Sequence, residues 1–253
     1  MKIMILGCGS SGGVPLITGD WGTCNPHNTY NRRRRVCVLI QYKDKNILID
    51  TSPDLRQQLL DAHVTHIDAV IYTHAHADHI YGLHELRYYK KKNPIPVYGD
   101  SQTLNILKRT FDYAFKANDP LYEPFVTANI FEATPFAVQG IEVIPFPQDH
   151  VTATSWGFRI GNFAYSTDFK TIPESSLEML QGLDLWIVDC LRFEEHPTHS
   201  HFDATRELIR KIQPKQAILT HMNHHMDYDV VLSACDEGIE PAHDGMIIHH
   251  IGE

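Results

Sequence analysis

Four side chains that can bind metal ions occur within six residues of this chain, in the segment His74-Ala-His76-Ala-Asp78-His79. The segment follows residues 69–72, an apolar run that is typical of a buried strand, with only Thr73 between them. Histidine nitrogens and carboxylate oxygens are ligands that Zn²⁺ and Mn²⁺ prefer, and two ligand pairs in one loop can each bind an ion. A lone His-X-His would more often be a solvated loop, so the interpretation depends on further ligands downstream.

Three further candidate ligands follow strand-like runs later in the chain. His150 comes after residues 141–146, Asp168 follows Tyr-Ser-Thr, and His221 follows the apolar run 217–220. Taken singly, each has a plainer interpretation, because a lone histidine is more often a core or surface residue and such an aspartate is more often a turn residue. Their positions after strands, where loops over a rigid sheet carry functional groups, favour one shared site.

The HxHxDH pattern resembles the signature of the metallo-β-lactamase superfamily, and the later candidates follow in that family's order. The resemblance extends along nearly the whole chain. It implies an α/β (α+β) fold, a four-layer αββα sandwich with the metals at one edge between two sheets. It also implies the ligand sets: His74, His76 and His150 for one ion, Asp78, His79 and His221 for the second, and Asp168 bridging both.

Such a dinuclear site predicts a hydrolase. Two divalent ions roughly 3.5–4 Å apart can share a bridging hydroxide and stabilise both the attacking and the leaving oxygen of a displacement. The expected cofactors are two ions per chain, Zn or Mn, with Fe as a further candidate. Asp78 is expected to belong to the catalytic residues as well as to the ligands.

A glycine-rich segment, residues 7–15, resembles the opening loop of the branch that contains ribonuclease Z and the PhnP-like phosphodiesterases. Its glycines permit positive φ angles and close backbone approach, so the loop with Ser10 and Ser11 could bind a phosphate. A tight turn after the first strand is an equally good interpretation. The segment is not a nucleotide-binding P-loop, because no Gly-Lys-Ser/Thr follows.

Four consecutive arginines occupy residues 32–35 of a chain whose formal net charge is −9. Arginine binds phosphate through paired hydrogen bonds, although a run of charges is as often a solvated turn. An acidic chain lacks the broad positive field that dominates nucleic-acid affinity. We therefore predict a small phosphodiester or nucleotide substrate, bound with help from Arg32 and Arg35, rather than a long nucleic acid.

A polar loop after residues 185–189 contains two histidines, His199 and His201. Phosphodiesterases of the resembled branch carry a histidine in the corresponding loop, where it protonates the leaving oxygen or stabilises transition-state charge. His201 matches that branch better because it directly precedes a helix-starting Phe-Asp, and His199 is the alternative. A surface histidine is the plainer interpretation. A catalytic histidine here favours a P–O bond as the target.

The elements that must position these residues can be predicted from hydrophobic patterning. Strand-like runs occur at residues 2–6, 36–41, 46–50, 69–72, 141–146, 156–160, 185–189, 216–220 and 246–250. Helix starts are indicated at Ser52-Pro53, Pro173 and Asp203. Residues 101–129 are expected to form a helical lid or a homodimer surface, with aromatic side chains at Phe111, Tyr113, Phe115 and Tyr122.

Three minor expectations concern residues outside the main motifs. Asp50 and His66 are expected to orient metal ligands, and Asp244 is expected near the metal histidines. A structural zinc usually has four protein ligands. Because only three candidates are visible, we predict no tightly held third ion at these residues: Cys24, His27 and His224.

Length and composition favour a single-domain cytoplasmic enzyme. A chain of 253 residues can bury a large core, so residues 1–253 are expected to form one domain. No apolar run approaches the ~20 residues of a membrane span, and the first residues are typical of a strand rather than of a signal peptide. Five cysteines without framework spacing favour a reducing compartment. No membrane contact is expected.

The predicted function is a two-metal phosphodiesterase that acts on a small cyclic or nucleotide-like phosphodiester. One alternative is a ribonuclease Z-like endonuclease that processes tRNA. A second is a non-catalytic metal or nucleotide sensor with the same fold, which the complete ligand set disfavours.

Overall fold

Two seven-stranded sheets face each other in the part of the chain that the computed structural model describes, residues 1–90, 92–116 and 123–249. The first sheet contains, in spatial order, β14 (Met246–His249), β1 (Lys2–Gly7), β2 (Cys37–Tyr42), β3 (Lys45–Ile49), β4 (Ala69–Ile71), β5 (Ile95–Gly99) and β6 (Val126–Ile130). The second contains β13 (Ile239–Pro241), β12 (Gln216–Thr220), β11 (Leu185–Asp189), β10 (Phe163–Ser166), β9 (Thr154–Ile160), β8 (Ile141–Asp149) and β7 (Phe136–Val138).

Each sheet is antiparallel in one half and parallel in the other. Pairing changes from antiparallel to parallel at β3 in the first sheet and at β10 in the second. Parallel neighbours need crossover connections, which are usually helical. The carboxyl ends of the parallel strands therefore lie at one edge, where loops can converge.

Helices cover the outer face of each sheet and complete the four-layer α/β sandwich predicted from the family resemblance. Those that follow strands of the first sheet are α1 (Leu55–Asp61), α2 (Ala77–Ile80), α3 (Ser101–Thr110) and α4 (Asp112–Phe115). Those that follow strands of the second are α5 (Glu174–Glu178), α6 (Phe202–Ile212) and α7 (Tyr228–Ala234). Two 3₁₀ helices span Thr29–Asn31 and Leu83–Tyr89. None of the helices in the described ranges is long and apolar enough to cross a membrane.

Successive buried side chains of a strand alternate between two core layers, one between the sheets and one under the helices. In β1, Ile3 and Ile5 pack toward the second sheet, whereas Met4 packs in the layer under the first helices. Gly157 in β9 shows how tightly neighbouring strands pack, because a Cβ there would lie 2.1 Å from the ring of Phe146, its partner on β8. A rigid base of this kind fixes the loops at its edge.

All of the predicted strand runs are strands, apart from His250, which lies outside the described residues. Strands β5, β6, β7, β10 and β13 were missed. β5 carries Pro96 and β13 ends at Pro241, and a proline within an apolar run argues against a strand. The helices predicted at residues 52, 173 and 203 are present. Phe111 is buried in the expected helical region, whereas Tyr122 lies outside the described residues.

Candidate metal centre

The seven predicted ligands meet at one edge of the two sheets. They lie in the segments that follow β4, β8, β10 and β12, with Asp78 and His79 on the short helix α2. Asp168 and His221 have φ angles of 54° and 60°, in the left-handed region. Non-glycine residues rarely adopt such a backbone, and they cluster at functional sites. The chain thus turns sharply after β10 and β12 and directs these two side chains toward the other ligands.

The ligand atoms form two groups that share Asp168. The first ligand group contains His74, His76, His150 and Asp168, and the second contains Asp78, His79, Asp168 and His221, with ligand atoms within 4.8 Å of one another in each. Asp168 Oδ2 lies 3.7 Å from His74 Nε2 and 4.0 Å from His150 Nε2. Its Oδ1 lies 3.3 Å from His79 Nε2 and 3.4 Å from His221 Nε2. This is the geometry of a bridging carboxylate.

Four of these ligand atoms are buried without a hydrogen-bond partner among the described residues: His74 Nε2, Asp78 Oδ2, His79 Nε2 and His221 Nε2. Buried polar atoms are nearly always hydrogen-bonded in folded proteins, so several orphaned ones at one point require a ligand. Nitrogen and carboxylate donors in groups of four suit a divalent ion such as Zn²⁺. The residues present therefore fit two divalent ions.

Other polar groups contact the Nδ1 atoms of two candidate ligand histidines, His79 and His150. Asp50 Oδ2 lies 2.7 Å from His79 Nδ1, and the same carboxylate accepts hydrogen bonds from the backbone N–H and hydroxyl of Thr73. The carbonyl of Thr198 lies 2.9 Å from His150 Nδ1. Such contacts fix which nitrogen faces the metal. The prediction that Asp50 orients a ligand is confirmed by this geometry.

His66 does not share that role. His66 lies on the loop before β4. Its Nε2 lies 3.4 Å from Asp68 Oδ2, and its backbone carbonyl accepts a hydrogen bond from the side chain of Asn46. That loop lies at the amino end of the strand, whereas the ligands follow its carboxyl end. The prediction that His66 orients a metal ligand is wrong for this reason.

Electrostatics favour ionised aspartates within the centre. Although burial opposes ionisation, His221 and His79 hold the pKa of Asp168 well below its usual range. Burial, and then the neighbouring His79, lower the pKa of His74, which keeps that imidazole neutral as metal binding requires. Burial acts against protonation of His221, but Asp168 outweighs it and raises the pKa of His221 to about 10 in the metal-free chain.

The structure brings His199, rather than His201, against the metal ligands. His199 Nε2 lies 4.0 Å from Asp168 Oδ2, and its ring stacks on that of His221 with centroids 4.9 Å apart. Its Nδ1 lies 3.1 Å from Asp189 Oδ2. His201 instead begins α6 as its N-cap residue, and its Nδ1 is buried without a partner in the described part of the chain. The preference for His201 is corrected accordingly.

Asp189 was missed as a functional residue. It ends β11, is fully buried, and lies within 3.5 Å of both His199 and His221. Although burial opposes ionisation, His199 lowers the pKa of Asp189. The available signal was its position after an apolar run, which is the position that Asp168 and His221 share.

The glycine-rich loop lies beside the second ligand group. Gly9 pairs with both Arg35 and Met222, and Met222 directly follows His221. The buried Ser10 donates its N–H to the Met222 carbonyl at 3.2 Å, whereas Ser11 is exposed. Backbone contacts thus place this loop next to His221.

The four arginines have separate environments. Arg33 is buried, and Arg34 pairs with Asp61. Arg32 lies over the ring of Trp21 at 5.1 Å. Arg35 pairs with Asp54 at 3.0 Å, and its guanidinium extends over Gly13 of the glycine-rich loop. Of the two arginines proposed for phosphate, Arg35 therefore contacts the loop beside the centre.

The remaining candidates contact residues outside the two ligand groups. Asp244 accepts hydrogen bonds from the backbone N–H of Cys8 at 3.1 Å and of Arg34 at 2.8 Å, rather than contacting the metal histidines. Cys24 Sγ lies 4.0 Å from the guanidinium of Arg33. The exposed His27 binds Asn25, while His224 packs against Gly22.

Comparison with known proteins agrees with this geometry. A family model described as a beta-lactamase superfamily domain matches residues 45–222. A solved structure described as a new diphosphatase from the PhnP family is 35% identical, with a TM-score of 0.92 over 98% of this chain and 97% of that one. Human tRNase Z, short form, has a TM-score of 0.73 over 98% and 99% of the two chains, at 18% identity. At that identity the likeness shows the fold alone.

A protein named octanoyltransferase from Porphyromonas gingivalis (strain ATCC BAA-308 / W83) is also similar. It is 32% identical over 228 residues, which make up 89% of this chain and 46% of that protein. The chain therefore spans about half the length of the curated relative that it matches.

Proposed function

The chain belongs to the metallo-β-lactamase superfamily, in its PhnP-like branch, and from this premise we propose that this hydrolase is a phosphodiesterase for small nucleotide-like or cyclic phosphodiesters. The relative described as a diphosphatase supports cleavage of a bond to phosphorus. Two divalent ions, Zn or Mn, would be held by the two ligand groups. When bound, they supply an activated water and neutralise charge on the phosphoryl oxygens.

The observation that carries the proposal is the pair of His199 and Asp189 beside the ligands. We assign the Nδ1 proton of His199 to a hydrogen bond with Asp189, 3.1 Å away. The other nitrogen, Nε2, then faces Asp168 and the reacting region. An alkoxide is a poor leaving group, so a proton delivered from Nε2 assists its departure. Asp189 is a positioning residue, because it fixes the ring of His199.

Arg35 and the glycine-rich loop are proposed to bind the phosphate. The Arg35 guanidinium lies over Gly13. The backbone N–H of Ser10 donates a hydrogen bond to the carbonyl of Met222, the residue that follows His221. Arginine recognises phosphate oxygens through paired hydrogen bonds. Arg32, which stacks on Trp21, and the exposed Ser11 are the more peripheral members of the same surface.

A tRNA-processing activity is the alternative that shares this chemistry. The net charge of −9 opposes the phosphate-dominated affinity that a long RNA requires. Transfer of an octanoyl group has less support, because the relative with that name is about twice as long as the matched region. Burial raises the pKa values of three thiols, so these side chains do not favour the thiolate that an acyl-enzyme would need: Cys8, Cys37 and Cys190.

The proposal includes a cytoplasmic location. The five cysteines are free thiols, and four of them are buried, as is typical of proteins in a reducing compartment. We also propose that any self-association is as a homodimer. Tyr113, on α4 within the expected region 101–129, is 44% exposed and would lie in such a surface.

The deciding experiment compares substrates on the protein loaded with Mn²⁺ or Zn²⁺. We expect hydrolysis of bis-p-nitrophenyl phosphate and of a small nucleotide phosphodiester, with much slower cleavage of precursor tRNA. Efficient tRNA cleavage would instead support the nuclease. Metal binding without hydrolysis of any phosphodiester would support a sensor and overturn the proposal.

A further inference from the structure

A cavity of about 230 Å³ borders the metal centre on the side of His74 and His76. It lies between the start of α3 and the loop that joins β8 to β9, and metal ligands form part of its wall. Three larger hollows in the described part of the chain border none of the seven ligands. Because metal ligands form part of its wall, this cavity is placed to receive part of a substrate whose reacting phosphate is at the metals.

The size of the cavity limits what it can hold. Sites that enclose a whole small-molecule ligand measure ~300–1,000 Å³. At about 230 Å³, this cavity fits one arm of a diester rather than the complete molecule. The arm is distinct from the leaving group, because His199 stacks on His221 and contacts His150, whereas the cavity borders His74 and His76.

The chemistry of the cavity wall selects an uncharged arm that donates hydrogen bonds. The wall carries the carboxylate of Asp100, the amide of Gln102 and the hydroxyl of Thr152, with Ile106 as an apolar surface. No arginine or lysine borders the cavity in the described ranges. A second phosphate would meet the Asp100 carboxylate without a compensating cation, so it is disfavoured.

One carboxylate oxygen of Asp100 caps a helix, and the other can accept a hydrogen bond from a ligand. Its Oδ1 accepts the backbone N–H of Thr103 at 2.9 Å and so caps α3. The second oxygen of the same carboxylate can accept a hydroxyl or amine proton. Hydrogen bonds to a charged acceptor are about twice as strong as neutral ones.

We infer that this cavity is a specificity subsite, in which Asp100, Gln102 and Ile106 bind the retained arm of the substrate, an uncharged group with hydroxyl donors such as a nucleoside sugar. The inference rests on the proposed phosphodiesterase function and names its substrate class. It predicts a preference for nucleoside diesters over diesters with a small alkyl arm.

Two substrates with the same leaving group test the inference, thymidine 5′-(p-nitrophenyl phosphate) and methyl p-nitrophenyl phosphate. Ile106→Trp fills the cavity, and Asp100→Asn removes the charge while keeping a good N-cap residue. Either variant should raise KM for the thymidine diester about tenfold or more. Turnover of the methyl diester should stay at the wild-type level, with metal content unchanged by elemental analysis.

The control is Asn105→Trp, an exposed position on α3 outside the cavity wall, which should alter neither substrate. Equal losses on both diesters, or no loss on either, would overturn the inference. If the wild-type protein hydrolyses neither diester, the proposed function fails. Calorimetry then tests the subsite on its own, by comparing the binding of thymidine 5′-monophosphate and methyl phosphate. Tighter binding of the thymidine ligand to the wild type, and loss of that difference in Ile106→Trp, would support the subsite. Equal binding of the two ligands to the wild type would overturn it.

Discussion

Asp168 is the residue on which the whole centre depends. Its two oxygens divide between the two ligand groups, and it is almost fully buried. Removing a buried carboxylate that faces several histidines leaves those groups without their common partner. We therefore propose that this carboxylate determines whether the centre holds two ions or only one.

The first prediction is that Asp168→Ala loses metal and activity together. Purified wild-type protein should contain up to two equivalents of Zn, Mn or Fe, and the variant should contain fewer. Asp203→Ala, on the exposed face of α6, is the control and should retain both properties. Elemental analysis that finds full metal content in Asp168→Ala would remove this residue from the site.

Asp244 gives a second prediction, on stability. Burial raises its pKa to about 6 from the ordinary value of 3.8. The unfolded chain therefore loses this proton first as pH rises, which favours unfolding. Asp244 contributes stability that is fully present below pH 3.8 and is lost as pH rises through about 6, by about 3 kcal/mol.

Denaturant unfolding of wild type and Asp244→Asn between pH 4 and pH 7 measures this contribution. The free energy of unfolding of the wild type, minus that of the variant, should fall as pH rises. Metal loss and other carboxyl groups affect both proteins alike and cancel in the difference. A difference that does not change with pH would contradict the assigned role of burial.

At the residue scale, the HxHxDH pattern is visible in the sequence, and the family resemblance added the other three candidate ligands, which the structure brings together with it. The choice between His199 and His201 could not be made that way. It depends on Asp189, which anchors the ring of His199 through a contact that spans ten residues of the loop between β11 and α6. Only the folded chain shows which of two similar loop histidines has a partner of this kind.

The elements explain why the four arginines differ. The Gly9 segment pairs with the arginine run on one side and with Met222 on the other, so neighbouring side chains point into different environments. The four arginines are visible in the sequence, but the backbone pairing of Gly9 with Arg35 and Met222 is not. Arg34 and Arg35 have similar side-chain exposure, 30% and 28%, and each pairs with a carboxylate. They therefore form a matched pair for a test.

The third prediction compares these two residues. Arg35→Ala should raise KM for an anionic phosphodiester on the order of tenfold, because a charge-assisted contact is lost, while KM for a neutral ester changes little. Arg34→Ala should leave both values near those of the wild type. Steady-state kinetics decide the matter. Equal effects of Arg35→Ala on charged and neutral esters would assign the whole run to structure.

Element prediction was accurate where burial imposes a pattern and failed where it does not. Strands buried on both faces, such as Leu185–Asp189, are visible as continuous apolar runs. Phe136–Val138 pairs with only one neighbour at the edge of its sheet, and Val126–Ile130 is only partly buried. Neither leaves a clear apolar run, so periodicity alone could not predict them.

At the scale of the whole molecule, the resemblance gave an architecture that periodicity could not. Hydrophobic patterning indicated a mixed α/β fold. That two similar sheets pack face to face depends on contacts between segments far apart in sequence, which patterning does not show. Residues of both sheets pack in one continuous core. The metal centre uses loops from both sheets, so its geometry depends on the association of the two halves.

The fourth prediction follows from this shared core. If residues 1–253 form one domain, as we propose, the metal-loaded protein should unfold in a single transition. Fluorescence of Trp186, which is fully buried, and far-ultraviolet circular dichroism should report the same midpoint. Two separate midpoints would show that the sheets unfold independently and would contradict the single-domain proposal.

The central claim is that His199 donates a proton to the leaving oxygen at a two-metal centre. The most direct measurement is kcat of His199→Ala with two phosphodiesters, one with an alkyl and one with a p-nitrophenolate leaving group. The variant should keep both metals and lose ~10²–10⁴-fold in kcat with the alkyl leaving group, but far less with p-nitrophenolate, which leaves without a proton. His201→Ala should be nearly unchanged. Equal losses for both leaving groups, or no loss for either, would contradict the account.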